Sequence, residues 1–197
     1  MTFDILLAAA IFSFAGSMTP GPNNFMLLAS GANFGFRRTI PHMAGIQVGM
    51  MTLMLAVGFG LGSLLNAYPS LHLALKIIGA AYLLYLAWRI GSARTMGKGS
   101  DRTEPMTAFQ AGLFQWVNPK AWVVALTAMS LFSLPEEPYR SAIAVSLACI
   151  TPMFLSVTVW SGFGVALRDW LADPVRLKWF NITMGVLLVL TLYPMLA

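Results

Sequence analysis

The chain has 197 residues, of which 58% are hydrophobic and only 10% are charged. Ordinary soluble domains contain about 45–50% apolar and about 25% charged residues, so this composition excludes a typical water-soluble protein. The net charge of +5 does not indicate nucleic-acid binding, because the basic residues are spaced between hydrophobic stretches rather than forming a patch. A single cysteine excludes a disulfide framework or a cysteine-rich metal site within one chain.

Charge-free stretches long enough to cross a bilayer recur along the whole chain. A transmembrane helix needs about 20 largely apolar residues to cross about 30 Å of hydrocarbon. The pattern therefore predicts an all-α integral membrane protein that forms one transmembrane domain over residues 1–197. Six transmembrane helices are expected, at residues 5–34, 40–65, 71–90, 108–132, 141–167 and 175–196, with the first interrupted at 19–23.

A polar loop at 92–107 divides the chain into halves at about 1–91 and 108–197, with three spans each. Because three is an odd number, the second half enters the membrane from the opposite side, so an inverted repeat is expected. A weak internal similarity supports it: PNNFMLL at 22–28 interrupts span one, and NPKAWVV at 118–124 interrupts span four. The sequence therefore predicts two inverted three-helix repeats in which spans one and four are broken.

The distribution of basic residues predicts the orientation in the membrane. Nine of the twelve Lys and Arg residues follow spans one, three and five, whereas the opposite side has only Arg140 in its short connections, together with Glu136 and Glu137. The positive-inside rule then puts the basic loops in the cytoplasm and both termini outside the cell membrane. The nine basic residues are Arg37, Arg38, Arg89, Arg94, Lys98, Arg102, Arg168, Arg176 and Lys178.

The segment TPGPNN at 19–24 is the first candidate for a functional site. Its two prolines cannot continue a helix, because each lacks an N–H and clashes with the preceding turn. In lipid the freed backbone groups need partners, so such a break is expected inside protein or beside a water-filled cavity. The helix N-terminus that follows suits a carboxylate, and a purely structural kink is the alternative. The candidate substrate-binding residues here are Pro20, Gly21, Pro22, Asn23 and Asn24.

Span four contains a similar group of polar residues: Gln115, Asn118 and Lys120, with Pro119 between the last two. A lysine within a span is costly unless it is paired, solvated or extended to the membrane interface. If this break lies deep, Lys120 could bind a substrate carboxylate. If it lies shallow, Lys120 only marks the cytoplasmic boundary.

Gln47 lies between Gly45 and Gly49, in a pattern that lets helices approach closely and form hydrogen bonds across the contact. Helix packing within the chain is the default explanation, and such faces also permit a homodimer. Gln47 is nevertheless a candidate polar contact for a substrate.

All seven acidic residues fall in loops or at chain ends, and Asp4 is the only one that could lie within a span. This distribution favours neutral or zwitterionic substrates, whose export moves no net charge against the membrane potential, a cost of about 2.3 kcal/mol per charge per 100 mV. A proton-coupled mechanism would have to use Asp4, His42, His72, the substrate or water. The two histidines are predicted to be interfacial, which leaves Asp4 as a weak candidate for proton coupling.

No nucleotide-binding loop, metal-binding cluster or nucleophile elbow occurs in the sequence. We therefore predict no cofactor, no metal, no ATP hydrolysis and no enzymatic activity.

Several blocks of the sequence resemble the LysE/RhtB family of amino-acid exporters. They follow the family's order and spacing over essentially the whole chain, although from residue 141 onward only the hydropathy matches. The pair of asparagines after the prolines is most similar to the branch that exports cysteine and O-acetylserine, and the motifs do not separate this branch from homoserine, threonine or leucine exporters. The blocks are MTPGPNN at 18–24, GFRR at 35–38, AGI at 44–46, KIIGAAYLLYLAW at 76–88 and QWVNPKA at 115–121.

The resemblance implies secondary efflux of neutral amino acids or related metabolites across the cytoplasmic membrane, powered by the proton gradient. It also implies that 20–24 and 118–120 line the translocation path, with alternating access around the two breaks. The expected partners are a small amino-acid substrate and the lipid bilayer, and no nucleic acid. Two alternatives remain. One is a non-transporting membrane partner or assembly protein, which would have no use for polar helix breaks that cost free energy in lipid. The other is a membrane-embedded enzyme, for which no nucleophile and base are evident.

Overall fold

The computed structural model describes residues 1–62, 68–96 and 104–193, and regular structure in these ranges is entirely helical. The predicted all-α class is confirmed for this part of the chain. A π-helical segment, Val57–Leu61, extends the third helix. The eight α-helices are α1 (Phe3–Met18), α2 (Pro22–Phe34), α3 (Phe36–Ala56), α4 (Pro69–Gly91), α5 (Ala108–Val117), α6 (Pro119–Phe132), α7 (Pro138–Ala166) and α8 (Pro174–Leu190).

Some sequence predictions fall outside the described residues. These are the ends of spans two and six, at 63–65 and 194–196, and the basic residues Lys98 and Arg102 of the central loop.

Three helical segments are long and apolar enough to cross a membrane: Phe36–Leu61, Leu73–Gly91 and Pro138–Ala166. The pair α1 and α2, bent by 62° at its break, counts as a fourth if it forms one span. The helices α5 and α6 have only 10 and 14 residues, so neither crosses alone. The described chain is therefore a multi-span helical protein, and the count of six remains a prediction.

Proline marks the start of five of the eight helices. It suits this position because the first N–H of a helix has no partner within the helix, and the ring fixes a helical φ. By contrast, α3 begins at Phe36, four residues before the predicted start, since Arg37 and Arg38 continue the helix beyond the apolar stretch. The prolines are Pro22, Pro69, Pro119, Pro138 and Pro174.

The long helix α7 packs against α1, α2 and α3, while α5 packs along α3 and α4 packs against α8. Glycines permit the closest of these contacts, because they let two backbones touch. A Cβ atom added at Gly31 or Gly164 would clash with the facing backbone of α7 or α2, respectively. One added at Gly45 or Gly49 would clash with the backbone of α5. The crossings α2–α7 and α3–α5 are therefore fixed by residues without side chains.

Candidate functional site

Both predicted helix breaks are present, and they lie against each other. The first separates α1 from α2 at residues 19–21, and the second separates α5 from α6 at Asn118. Two contacts join them: Asn23 bonds to Gln115, and the Lys120 ammonium group bonds to the carbonyl oxygen of Thr19. Breaks that are far apart in the sequence thus form one polar centre.

Side chains from α2 and α7 donate to carbonyl groups that the first break leaves free. The Nδ2 atom of Asn24 donates to the carbonyl oxygens of Ser17 and Thr19, each at 2.9 Å. From α7, the Ser156 hydroxyl donates to the same Ser17 oxygen at 2.9 Å. A buried acceptor without a donor costs about 1–3 kcal/mol, so these bonds make the break tolerable in an apolar setting.

Lys120 reaches across from the start of α6 to the first break. Its Nζ atom donates to the carbonyl oxygen of Thr19 and lies 3.4 Å from that of Pro20. The side chain passes directly over Gly21, where an added Cβ atom would lie 3.0 Å from Cδ and Nζ of the lysine. The carboxyl end of α1 carries the negative end of its helix dipole, which attracts the ammonium group. Lys120 therefore points to the other break.

The second break is held by its own residues. The Oδ1 atom of Asn118 accepts the N–H of Lys120 at 3.2 Å, and its backbone oxygen accepts the N–H groups of Ala121 and Trp122 at 3.0 and 3.3 Å. The indole N–H of Trp122 donates to the carbonyl oxygen of Trp116 at 2.8 Å. Asn118 is only 2% exposed, so these bonds form away from solvent.

A pair of side-chain amides links the start of α2 to the end of α5. Asn23 donates to Gln115 at 2.8 Å and accepts from it at 3.1 Å. Gln115 is fully buried and also donates to the backbone oxygen of Ala111 at 2.9 Å. The Gln115 amide is therefore already hydrogen-bonded within the protein, and it holds the Asn23 side chain in place.

A cavity of about 50 Å³, here called the break cavity, lies between the two breaks and the helices α3 and α7. It has room for about four water molecules at about 10–15 Å³ each, whereas the smallest amino acid has five non-hydrogen atoms. Its polar lining includes Ser17, Asn23, Asn24, Asn118, Lys120 and Ser156, and its apolar lining includes Ile46, Met50, Met153 and Val157.

The structure does not bring all the predicted site residues to this cavity. Gln47 is not part of the lining, although Ile46 on the same helix is, and both polar atoms of its amide are buried without a hydrogen-bond partner among the described residues. Asp4 is exposed in the first turn of α1, about 21 Å along the helix from Met18. The roles predicted for Gln47 and Asp4 remain predictions.

The three prolines of the breaks shape the backbone: Pro20 is exposed, Pro22 is buried at the start of α2, and Pro119 begins α6. Sequence reasoning missed Ser17 and Ser156, because a serine in an apolar span has no distinctive pattern and their contact joins distant helices.

The sequence of this chain is similar to those of known translocators. A family model described as LysE type translocator matches residues 14–191. Cysteine/O-acetylserine efflux proteins from two strains of Escherichia coli are 35% and 34% identical to this chain over 153 residues, which is 76% of this chain and 78% of each relative. The protein of the same name from Klebsiella pneumoniae is 33% identical over the same shares. No solved structure gives a significant match.

Proposed function

This chain belongs to the LysE-type translocator family, and we propose that it exports small neutral amino acids across the cytoplasmic membrane in exchange for protons. It is a multi-pass membrane transporter of amino acids or related metabolites and not an enzyme. The relatives named as cysteine/O-acetylserine efflux proteins make small polar amino acids the first substrates to test.

The contact between Lys120 and the Thr19 carbonyl group is the observation on which the proposed binding mode depends. A zwitterionic amino acid carries one carboxylate and one ammonium group. Its carboxylate can take over the Lys120 ammonium group, and its own ammonium group can take the place of Lys120 at the carbonyl oxygens of Thr19 and Pro20. The substrate thus inserts between two partners that already bond to each other.

This exchange explains a preference for zwitterions by charge. The net charge in the break cavity is that of Lys120, +1, and it stays the same when a zwitterion binds. A cationic amino acid would add a second positive charge in a poorly solvated site, and this charge would have no carboxylate partner among the residues that line it. The amides of Asn23 and Asn118 then provide polar contacts to the carboxylate and the side chain of the substrate, since both N–H groups of Asn24 already donate at the first break.

The helix packing supports an arrangement of two inverted repeats with six spans. If α1 and α5 correspond, and α3 and α7 correspond, then the contact of α1 with α7 is equivalent to that of α5 with α3. The pairs α3–α7 and α4–α8 each join corresponding helices. In this arrangement α1 and α6 face the outside, α2 and α5 face the cytoplasm, both termini are outside, and the breaks lie near the midplane.

An efflux measurement tests the function. Cells that express the protein are loaded singly with cysteine, O-acetylserine, homoserine, threonine, leucine or lysine, and release into the medium is followed with and without a protonophore. We expect faster release of at least one neutral amino acid, no faster release of lysine, and loss of the effect with the protonophore.

Release that is unaffected by the protonophore would contradict proton coupling. No release of any neutral amino acid, together with capture of a stoichiometric partner protein, would instead favour a non-transporting role.

A further inference from the structure

A second cavity, of about 60 Å³, lies at the end of the molecule that carries the basic loops. It is enclosed by the carboxyl-terminal part of α2, the first turns of α3, the end of α4 and residues 104–106. We call it the inner cavity, and its lining includes Met26, Asn33, His42, Arg89 and Glu104. Among the residues considered for a functional site from the sequence, His42 is the one in this lining, and it is buried there although the sequence predicted an interfacial position.

His42 is the unsatisfied group in the inner cavity. It is 2% exposed, and neither ring nitrogen has a hydrogen-bond partner among the described residues. A neutral imidazole offers one donor and one acceptor, and leaving both unused in a buried position costs free energy. The imidazole is therefore poorly accommodated in this conformation.

Ser30 and Asn33, the other buried polar side chains that line the inner cavity, are both paired, which sets His42 apart from them. Asn33 and Asn181 exchange two amide hydrogen bonds, at 2.8 and 3.2 Å. The hydroxyl groups of Ser30 and Thr39 are 2.9 Å apart. An imidazole without partners in such a region suggests that it gains them, or a proton, in another conformation.

The inner cavity lies one helical turn from the break cavity. His42 and Ile46 are four residues apart on α3, so they share a face at about 5–6 Å, and Ile46 lines the break cavity. On α2, Met26 of the inner cavity lies three residues from Asn23 of the break cavity. The apolar side chains of Met26 and Ile46 thus stand near the boundary between the two cavities, and methionine is among the most adaptable of core residues.

The charged groups around His42 come from three elements. Arg89 of α4 and Glu104 line the same cavity, and the Arg89 guanidinium group donates to the Glu104 backbone oxygen at 2.9 Å. On α3, Arg38 lies one turn before His42, with its guanidinium carbon 5.5 Å from the centre of the Phe34 ring. From α2 the polar lining consists of the uncharged Ser30 and Asn33. Within the cavity an imidazolium would face one guanidinium and one carboxylate. The free energy of protonating His42 therefore depends on how well the cavity is hydrated.

We propose that the inner cavity is the cytoplasmic half of the transport path and that His42 carries the coupled proton. The proposal rests on the proposed export function and names the group that couples it to the proton gradient. In the conformation described above the ring is neutral. When the path opens to the outside, a proton from that side reaches the unprotonated ring nitrogen through the break cavity, which lies one helical turn away. When the path opens to the cytoplasm, the same nitrogen releases it, and one proton enters for each substrate molecule exported.

Two transport measurements on purified protein in liposomes separate coupling from transport itself. The first is exchange of labelled for unlabelled substrate at equal pH, which needs no net proton movement. The second is uphill transport driven by an imposed pH gradient. The variant is His42→Gln, which keeps a polar side chain but cannot carry a proton, and the matched control is His72→Gln at the other histidine of the chain.

We expect His42→Gln to keep exchange within about twofold of the unmodified protein and to lose pH-driven transport at least tenfold, with exchange no longer dependent on pH. The control should keep both activities. Retention of pH-driven transport by His42→Gln, or equal loss of both activities in a folded variant, would overturn the proposal. Should this variant fail to fold, His42→Asn is measured under the same criteria. Absence of both activities in the unmodified protein would instead refute the export function.

Discussion

The break between α1 and α2 and the break between α5 and α6 both combine proline with asparagine, yet their backbone groups find partners in different places. At the first break the carbonyl groups of Ser17 and Thr19 depend on side chains from α2, α6 and α7. At the second, Asn118 and Trp122 provide the bonds within the break itself. A break held by other helices changes when they move, whereas a self-contained break moves as a unit. The first break is thus the part that a substrate can rearrange.

The largest effect is expected when both donors to the Thr19 carbonyl group are removed together. Asn24→Ala and Lys120→Met each leave this oxygen with one donor, but the double variant leaves it with none. The loss of stability should then exceed the sum of the single losses by about 1–3 kcal/mol. Thermal unfolding of all four proteins in detergent measures this coupling, and simple additivity would mean that the first break has further partners.

Lys120→Met alone should mainly affect transport. The side chain becomes one atom shorter and loses the charge that binds the substrate carboxylate. A hydrogen bond to a charged group contributes about 1.5–3 kcal/mol, or about 10-fold to 150-fold in export. The matched control is Lys76→Met on α4, at a lysine outside both cavities. Normal export by Lys120→Met at equal membrane expression would remove this residue from the site.

Asn118→Ala tests whether the second break is self-contained. It removes the side-chain cap of α6, which should lower the free energy of unfolding by about 1 kcal/mol. Asn118→Asp keeps a capping oxygen and should retain most of the stability. Export should fall less than for Lys120→Met, and a larger fall would indicate that Asn118 binds substrate directly.

The smallest effect is expected for Ser156→Ala. The Ser17 carbonyl group keeps its bond from Asn24, so the loss should be about 0.5–1.5 kcal/mol. Ser146→Ala is the control, because Ser146 is buried on the same helix but bonds only to its own backbone, at Ala142. Equal effects of the two substitutions would mean that the α7 contact does not stabilise the first break.

The helical class and the positions of the breaks could be predicted from sequence because their causes are local. Charge-free stretches predict helices in lipid, and proline prevents a helix from continuing wherever it stands. The third span was predicted to begin at residue 71, two residues from the observed start at Pro69, because this proline also marks the boundary of a helix.

What the breaks contact could not be predicted, because it depends on how distant helices pack. The bond between Asn23 and Gln115 and the direction of Lys120 are examples. The sequence alone did not decide whether Lys120 lies deep in the membrane or at its interface, because a lysine next to a proline is compatible with either position. It also named Gln47 and missed Ser156, because a mid-span glutamine is rarer than a serine, whereas in the structure Ser156 lines the cavity and Gln47 does not.

The position of Lys120 also bears on sodium. In other transporters the carbonyl groups of an unwound helix coordinate a sodium ion, and here the Lys120 ammonium group lies against such carbonyl groups, those of Thr19 and Pro20. The chain therefore carries its own tethered cation, and a free metal ion would meet like charge at that position. We expect export to be unchanged when choline replaces sodium in the medium, so that a cell could export through this protein without drawing on its sodium gradient.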